Sequence, residues 1–444
     1  MVKELITLLA FLFTVLMILW RPRGLNIVIS AAVGAALVLL SGSVSFTDLW
    51  YIFETVGGAS ITIIATIVMA VVMESLGVFH WMAGLIKARA GNSGLRLFWY
   101  VNLLCFLMTV FFNNDGSILI TTPVLLFLLD HYGLENSHKV PYLLSGALTA
   151  TAASALVGAS NIVNLISMKI VGINLYIYTI MMSIPTAFSL FILILLLFFR
   201  FYKDLPSEIN TTNSIPAPEQ SCMPGISGKI GKLNTRVIVF TMLFALVGRV
   251  MLFVASYFEV PIELVAVLCS LLLLGWRWYH LGKAPVDLIK STPWHIFGFA
   301  FSMYVIVCGL HNIGLTDTLR HTLQPVVSGS LLQSILLMGT LLTLLSNIFN
   351  NHPAMMVGTL LSTSMSLDPL ALKAIYLANI IGSDIGCLLL PTGSLATLIW
   401  LHMLKQNGII INWKKYISVT VLVIPAALII ALLNLGLWIY LVYQ

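Results

Sequence analysis

The chain has 444 residues, of which 59% are hydrophobic and only 9% charged. An average soluble domain carries roughly 25% charged residues, so these side chains cannot cover a globule of this length. A soluble enzyme, a nucleic-acid binder and a disordered chain are thereby excluded, and the net charge of +6 speaks to loop sidedness.

The first apolar run, 5–20, is followed by Arg21-Pro22-Arg23-Gly24 with no small-residue cleavage pattern, and reads as a retained span. A helix needs about 20 apolar residues to cross the hydrocarbon. Ten candidate spans follow: 5–20, 25–41, 59–79, 141–167, 175–199, 237–256, 262–276, 294–312, 371–402 and 416–441. Two further apolar stretches, 97–130 and 331–367, are each cut in the middle, by Asn113-Asn114-Asp115-Gly116 and Asn350-Asn351-His352-Pro353. Backbone freed by such a cut cannot face lipid. Both stretches therefore read as re-entrant helical hairpins.

With the N-terminus outside, most Lys and Arg fall in cytoplasmic loops, and Lys3, Lys169, Arg320 and Lys373 fall outside. That asymmetry obeys the positive-inside rule and sets both termini outside a multi-pass plasma-membrane protein. Residues 202–236, with four Pro and three Gly, read as a flexible cytoplasmic linker. The linker divides the chain into 1–201 and 237–444, each with five spans and one hairpin. Five is odd, so the second part is inverted relative to the first. The expected fold is an all-α polytopic membrane protein of two inverted repeats with broken helices at the site.

Two pairs of motifs support the repeat. Phe112-Asn113-Asn114-Asp115 answers Phe349-Asn350-Asn351-His352 at the hairpin tips. Gly158-Ala159-Ser160-Asn161 with Asn164 answers Pro391-Thr392-Gly393-Ser394 with Thr397 at two broken spans. Inverted repeats with matching broken helices point to a secondary transporter with a mid-membrane site. Asn, Ser and Thr offer both donors and acceptors, which suits a small polar solute. The blander use of such residues, gluing helices together, explains one motif better than four in matched pairs. Candidate substrate ligands are Asn113, Asn114, Asp115, Ser160, Asn161, Asn164, Asn350, Asn351, His352, Thr392, Gly393 and Ser394.

Five ionisable groups lie at membrane depth: Glu74, Asp115, Arg249, His352 and Asp384. Such groups are costly and by default functional, although some are simply paired. Asp115, in a tip, and Asp384, before the Pro391 break, are the proton-coupling candidates. Glu74, near the inner end of its span, reads as solvated or ion-paired, and Arg249 as the structural partner of a carboxylate. A plain hydrogen-bonding role suits His352 as well as a titrating one. The Trp residues near span ends read as an interfacial belt. The five Cys, Cys105, Cys222, Cys269, Cys308 and Cys387, are scattered without CxxC or CxxxH spacing, so neither a disulfide framework nor a metal site is expected. No GxxxxGK[ST] run occurs, and no cofactor is expected; energy must come from an ion gradient or a separate subunit.

Phe111-Phe112-Asn113-Asn114-Asp115-Gly116 with Thr121-Thr122-Pro123 resembles the first signature of the ArsB-type arsenite/antimonite efflux family, in the ion transporter superfamily. The run from Gly158 through Asn164 resembles its second. Ser346 through Pro353, and Ile381 through Gly386 with Leu389 through Trp400, resemble the motifs of its later half. The resemblance covers nearly the whole chain outside the linker. It implies export of trivalent arsenite and antimonite by proton antiport, sometimes with a soluble ATPase on the cytoplasmic face. Arsenous acid is a neutral trihydroxy species near neutral pH, so hydroxyls and amides can bind it. Asp115 at the tip disfavours a carboxylate substrate. A sodium/proton antiporter and an exporter of another neutral hydroxide, silicic or boric acid, stay open as alternatives. An intramembrane aspartyl hydrolase needs two carboxylates in contact and lacks its GxGD motif here, and a receptor leaves the repeat unexplained.

Overall fold

The computed structural model describes residues 2–20, 25–209, 235–282, 286, 288, 292 and 294–443. Among the described residues the chain is all α, with 18 helices and short 3-10 turns. In chain order they are α1 (Val2–Trp20), α2 (Ile27–Leu40), α3 (Phe46–Ser75), α4 (Val78–Ala90), α5 (Gly94–Phe111) and α6 (Asn114–His131). There follow α7 (Asn136–Ala153), α8 (Ile162–Val171), α9 (Leu175–Phe201), α10 (Thr235–Tyr257), α11 (Ile262–Leu281) and α12 (His295–Asn312). The last six are α13 (Leu315–Val327), α14 (Leu331–Phe349), α15 (Asn351–Ser364), α16 (Pro369–Asp384), α17 (Leu395–Gln406) and α18 (Trp413–Tyr443).

Local sequence places the ends. Asn26 caps α2 by accepting from the Val28 N–H, and Ser45 with Asp48 forms a reciprocal capping box at the start of α3. A left-handed glycine follows the end of α3 and again the end of α12. Gly77 has φ +80° and Gly314 has φ +87°, a conformation that a Cβ makes costly. The second turn bends α12 against α13 by 70°.

Nine helices among the described residues are long and apolar enough to cross a membrane, or ten if the bent α12–α13 pair is one span. Their outward faces carry Phe188, Phe191, Leu243, Val247, Leu268, Leu271, Leu422 and Leu437, all exposed. An apolar exterior over buried Asn, Ser and Thr is the burial pattern expected in lipid. Boundaries shift from those read off the sequence. α3 starts well before residue 59 because its Ser45 cap is upstream, and α2 has only 14 residues. The stretch 97–130 is two 18-residue helices, and 331–367 is one of 19 and one of 14. Most of the linker, including Cys222, lies outside the described residues, as do Arg21 and Arg23. Its beginning is packed: the Ile209 N–H donates to the Asn92 carbonyl at 2.8 Å, and Leu205 and Ile209 are buried.

Packing runs between distant parts of the chain. α2 lies on α12 and α11 lies on α3, α9 lies on α18, α6 on α17, and α15 on α8. Within each part the first hairpin arm lies on the following helix, α5 on α7 and α14 on α16. The second of these contacts depends on glycine. A Cβ on Gly382 would stand 2.3 Å from the Gly339 carbonyl oxygen and 3.1 Å from the Thr343 nitrogen, both backbone atoms. Gly382→Ala should therefore cost about 1–3 kcal/mol through forced separation of α14 and α16. Gly275→Ala, where nothing lies within 4 Å, should leave the detergent-solubilised melting temperature unchanged. Equal melting temperatures for both variants would refute this reading of the contact.

Candidate functional site

The first hairpin turns at Phe112. Asn113, extended, caps α6 by accepting from the Gly116 N–H at 2.8 Å. That cap fixes the amide with its Nδ2 turned away from the helix. Asn113 Nδ2, Asn114 Oδ1 and Ser117 Oγ are buried with no hydrogen-bond partner among the described residues. Asp115 stands in the first turn of α6, half-buried, within electrostatic reach of Asp384 and with no donor on its carboxylate among the described residues. The last carbonyl of α5, Phe111, accepts from Arg249 Nε of α10. Arg249 is buried, and its two terminal nitrogens have no partner among the described residues. The expectation that it pairs with a carboxylate is therefore corrected: its guanidinium closes an orphaned helix end. Glu74, read as solvated or ion-paired, is fully buried in α3.

The first broken helix stops at Ala153, makes a 3-10 turn over Gly158–Ser160, and restarts as α8. Such a break frees backbone groups that lipid cannot satisfy. Tyr178 of α9 donates to the Ala155 carbonyl at 2.6 Å, and Asn161 caps α8 at the Val163 N–H. Thr151 Oγ1, Ser160 Oγ and Asn164 Oδ1 remain buried and unpartnered among the described residues.

The second tip turns at Asn350, whose φ of +78° lies in the left-handed region, which Asn tolerates better than most side chains. Asn350 Nδ2 donates to the Thr392 carbonyl at 3.1 Å. His352 Nδ1 lies 3.0 Å from Asn351 Oδ1, and its ring meets Phe299 edge-on. The second break, 385–394, is held by groups from two helices. Asn347 of α14 donates to the Gly386 carbonyl at 2.9 Å and accepts from the Leu390 N–H at 2.8 Å. Tyr416 and Thr420 of α18 donate to the carbonyls of Leu388 and Leu389, at 3.0 and 2.8 Å. Thr392 Oγ1 donates to the Asn347 carbonyl, whereas Ser394 Oγ is buried and unpartnered among the described residues. Gly393 leaves no room for a side chain, since a Cβ would fall 1.9 Å from the Cys387 carbonyl oxygen.

Asp384 joins the two broken helices. It ends α16, is fully buried, and accepts from Ser154, Asn161 and Asn164 on the first break and from its neighbour Ser383. Tyr376, two turns earlier on α16, donates to the Asn164 carbonyl at 3.0 Å. The predicted residues Asp384, Asn161 and Asn164 thus meet directly, and Asp115 faces them from the tip. Asn350 and Thr392 hold the second tip to the second break instead, Asn350 on the Thr392 carbonyl and Thr392 on the Asn347 carbonyl. Sequence reading missed Ser154, Asn347, Tyr178, Tyr376 and Tyr416. The two tyrosines that stand on the last helices of each part, Tyr178 and Tyr416, do the same job at corresponding breaks, and that correspondence is the signal that could have found them. Cys387 lies beside Asp384 with its Sγ on the Asp384 carbonyl at 3.7 Å. No cluster of three or more metal-ligating side chains occurs among the described residues.

Among the described residues, unpartnered hydroxyls and amides thus occur at the first tip and at both breaks, the segments that carry Asp115 and Asp384. The family profile described as arsenical pump membrane protein matches residues 6–441. A relative from Bacillus subtilis (strain 168) is 50% identical over 97% of this chain and 99% of its own length. The arsenical pump membrane protein of Escherichia coli (strain K12) is 31% identical over 96% and 97%. The solved YdaH transporter of Alcanivorax borkumensis has the same fold at a TM-score of 0.56 and 13% identity, over 90% of each chain. With these motifs, spans and relatives, the chain belongs to the arsenical pump membrane protein family and is a multi-pass membrane transporter.

Proposed function

We propose that this protein exports arsenite and antimonite from the cytoplasm across the plasma membrane, as neutral trihydroxy species, in exchange for protons by alternating access. The carrying observation is the chemistry of the unpartnered atoms: Asn113 Nδ2, Asn114 Oδ1, Ser160 Oγ, Asn164 Oδ1 and Ser394 Oγ are buried amides and hydroxyls. A solute with three hydroxyl groups, each donor and acceptor, matches that mixed set. A bare cation would use only the oxygens, which weighs against the sodium/proton reading. Unmade hydrogen bonds cost about 1–3 kcal/mol each, so an occupant that completes several binds without a thiolate. The carboxylates Asp115 and Asp384 supply proton coupling.

Two inverted repeats, α1–α9 and α10–α18, give the alternating site. Support comes from the shared order of elements and from reciprocal packing, with α2 on α12 mirrored by α11 on α3 and α6 on α17 mirrored by α15 on α8. A rocking of one repeat against the other would expose the same residues to each side in turn. Both termini lie outside in this orientation, and any ATPase partner would dock on the cytoplasmic loops.

Inside-out vesicles carrying the protein should accumulate arsenite when an acid-inside gradient is imposed, and empty vesicles should not. Accumulation driven by sodium, or by silicic or boric acid in place of arsenite, would replace this reading. Asn161→Ala and Asn164→Ala should each lower the initial uptake rate by about ten- to a hundredfold, the loss of one hydrogen bond to a charged group. In intact cells a cysteine appended beyond residue 444 should react with a membrane-impermeant thiol reagent. Labelling only after permeabilisation would reverse the proposed orientation.

A further inference from the structure

The two carboxylates of the site differ in what surrounds them. Asp384 Oδ1 accepts from Asn161 Nδ2 at 3.0 Å and Ser383 Oγ at 3.2 Å. Its Oδ2 accepts from Ser154 Oγ and Asn164 Nδ2, both at 2.8 Å. A carboxylate offers about four lone-pair positions, and four donors meet them, although the single Ser154 hydrogen is shared with the Thr151 carbonyl at 2.6 Å. Each of these bonds favours the ionised form over the protonated one. The Asn161 amide cannot turn to accept a proton from Asp384, because its Oδ1 is held by the Val163 N–H at the start of α8. Asp115 is the reverse case, a half-buried carboxylate with no donor on either oxygen among the described residues.

Among the described residues, the groups on which Asp384 acts electrostatically include Asp115, Tyr178, Tyr376 and Cys387, and none of these four is a cation. Asp115 is influenced in turn by Asp384. Two like charges close together disfavour each other, so the site favours one fixed anion and one exchangeable group. The donor pattern decides which is which.

We propose that Asp115 alone carries the exchanged proton, and that Asp384 stays ionised throughout as a positioning residue that ties α16 to the broken α7–α8 pair. This rests on the proton-exchange reading above. Protonation of Asp115 removes the repulsion between the first hairpin tip and Asp384, and loss of the proton restores it. The tip thereby approaches and withdraws from a fixed negative charge once per cycle. No bond other than the O–H of Asp115 forms or breaks, and the proton comes from water on the acidic side and leaves to water on the other.

The test is the rate of arsenite exchange against pH in vesicles with no imposed gradient, for the unmodified protein, Asp115→Asn and Asp384→Asn. Asp115→Asn should flatten the pH profile whatever its residual rate. Asp384→Asn should lower the rate about tenfold or more while keeping a single titrating limb, displaced along the pH axis because the charge facing Asp115 is gone. Should Asp384→Asn be inactive, Ser154→Ala decides, because it vacates one lone pair on Asp384 and should add a second titrating limb to the profile. A flat profile in Asp384→Asn, an unaltered profile in Asp115→Asn, or an unaltered profile in Ser154→Ala would each overturn the assignment. A pH-independent rate in the unmodified protein, with no response to an imposed gradient, would overturn the proton-exchange reading itself and this assignment with it.

Discussion

A helix interrupted inside hydrocarbon must find partners for the backbone groups it frees, and this requirement organises the whole molecule. Each unsatisfied group in lipid costs several kcal/mol, and four interruptions occur here, two at hairpin tips and two in broken helices. The solutions are specific. Arg249 takes the Phe111 carbonyl, Tyr178 takes Ala155, Tyr416 takes Leu388, and Asn347 takes both Gly386 and Leu390. Among the described residues, unpartnered buried polar atoms occur at the first tip and at both breaks, as well as elsewhere, for example at Ser30, Thr186 and Asn434.

Long-range contacts made by a single carboxylate then tie distant sequence together. Asp384 and Ser154 are 230 residues apart, and Asp384 with Asn161 and Asn164 fixes the end of α16 against the start of α8. Charge-assisted bonds of this kind are about twice as strong as neutral ones. Removing the carboxylate would leave three first-break donors facing each other with nothing between them. The same knot that shapes the site therefore also sets the register between the two parts of the chain.

Much of this was legible in the sequence for a simple reason: lipid imposes length and polarity rules that read directly from composition. The apolar runs, the cut at Asn113–Gly116 and the Gly158–Asn161 break carry their own signals. The tip caps were also readable, since Asn113 and Asn350 precede helix starts. The pairing of Asn161 and Asn164 with Asp384 was not, because hydrogen bonds across two hundred residues leave no local trace. Tyr178, Tyr376 and Tyr416 hide among many apolar aromatics, and only their hydroxyls distinguish them from packing residues. Arg249 misled for the opposite reason. A buried guanidinium suggests a carboxylate, yet a helix C-terminus is also an acceptor, and the hairpin break supplies one.

The chemistry of release explains why a site for a thiophilic element would be built from amides and hydroxyls. A transporter turns over only if its cargo leaves, and soft thiolates hold trivalent arsenic strongly. Cys387 lies beside Asp384, but it is buried and its Sγ is directed to the Asp384 carbonyl, which keeps the thiol in the wall of the site. Hydrogen bonds to Asn, Ser and Thr are individually modest, about 1 kcal/mol net, so several together would hold the proposed trihydroxy solute and still let it go. Binding of that strength leaves the direction of transport to be set by something else. On the reading proposed above, a single exchangeable charge on Asp115, set against a fixed one on Asp384, would set it.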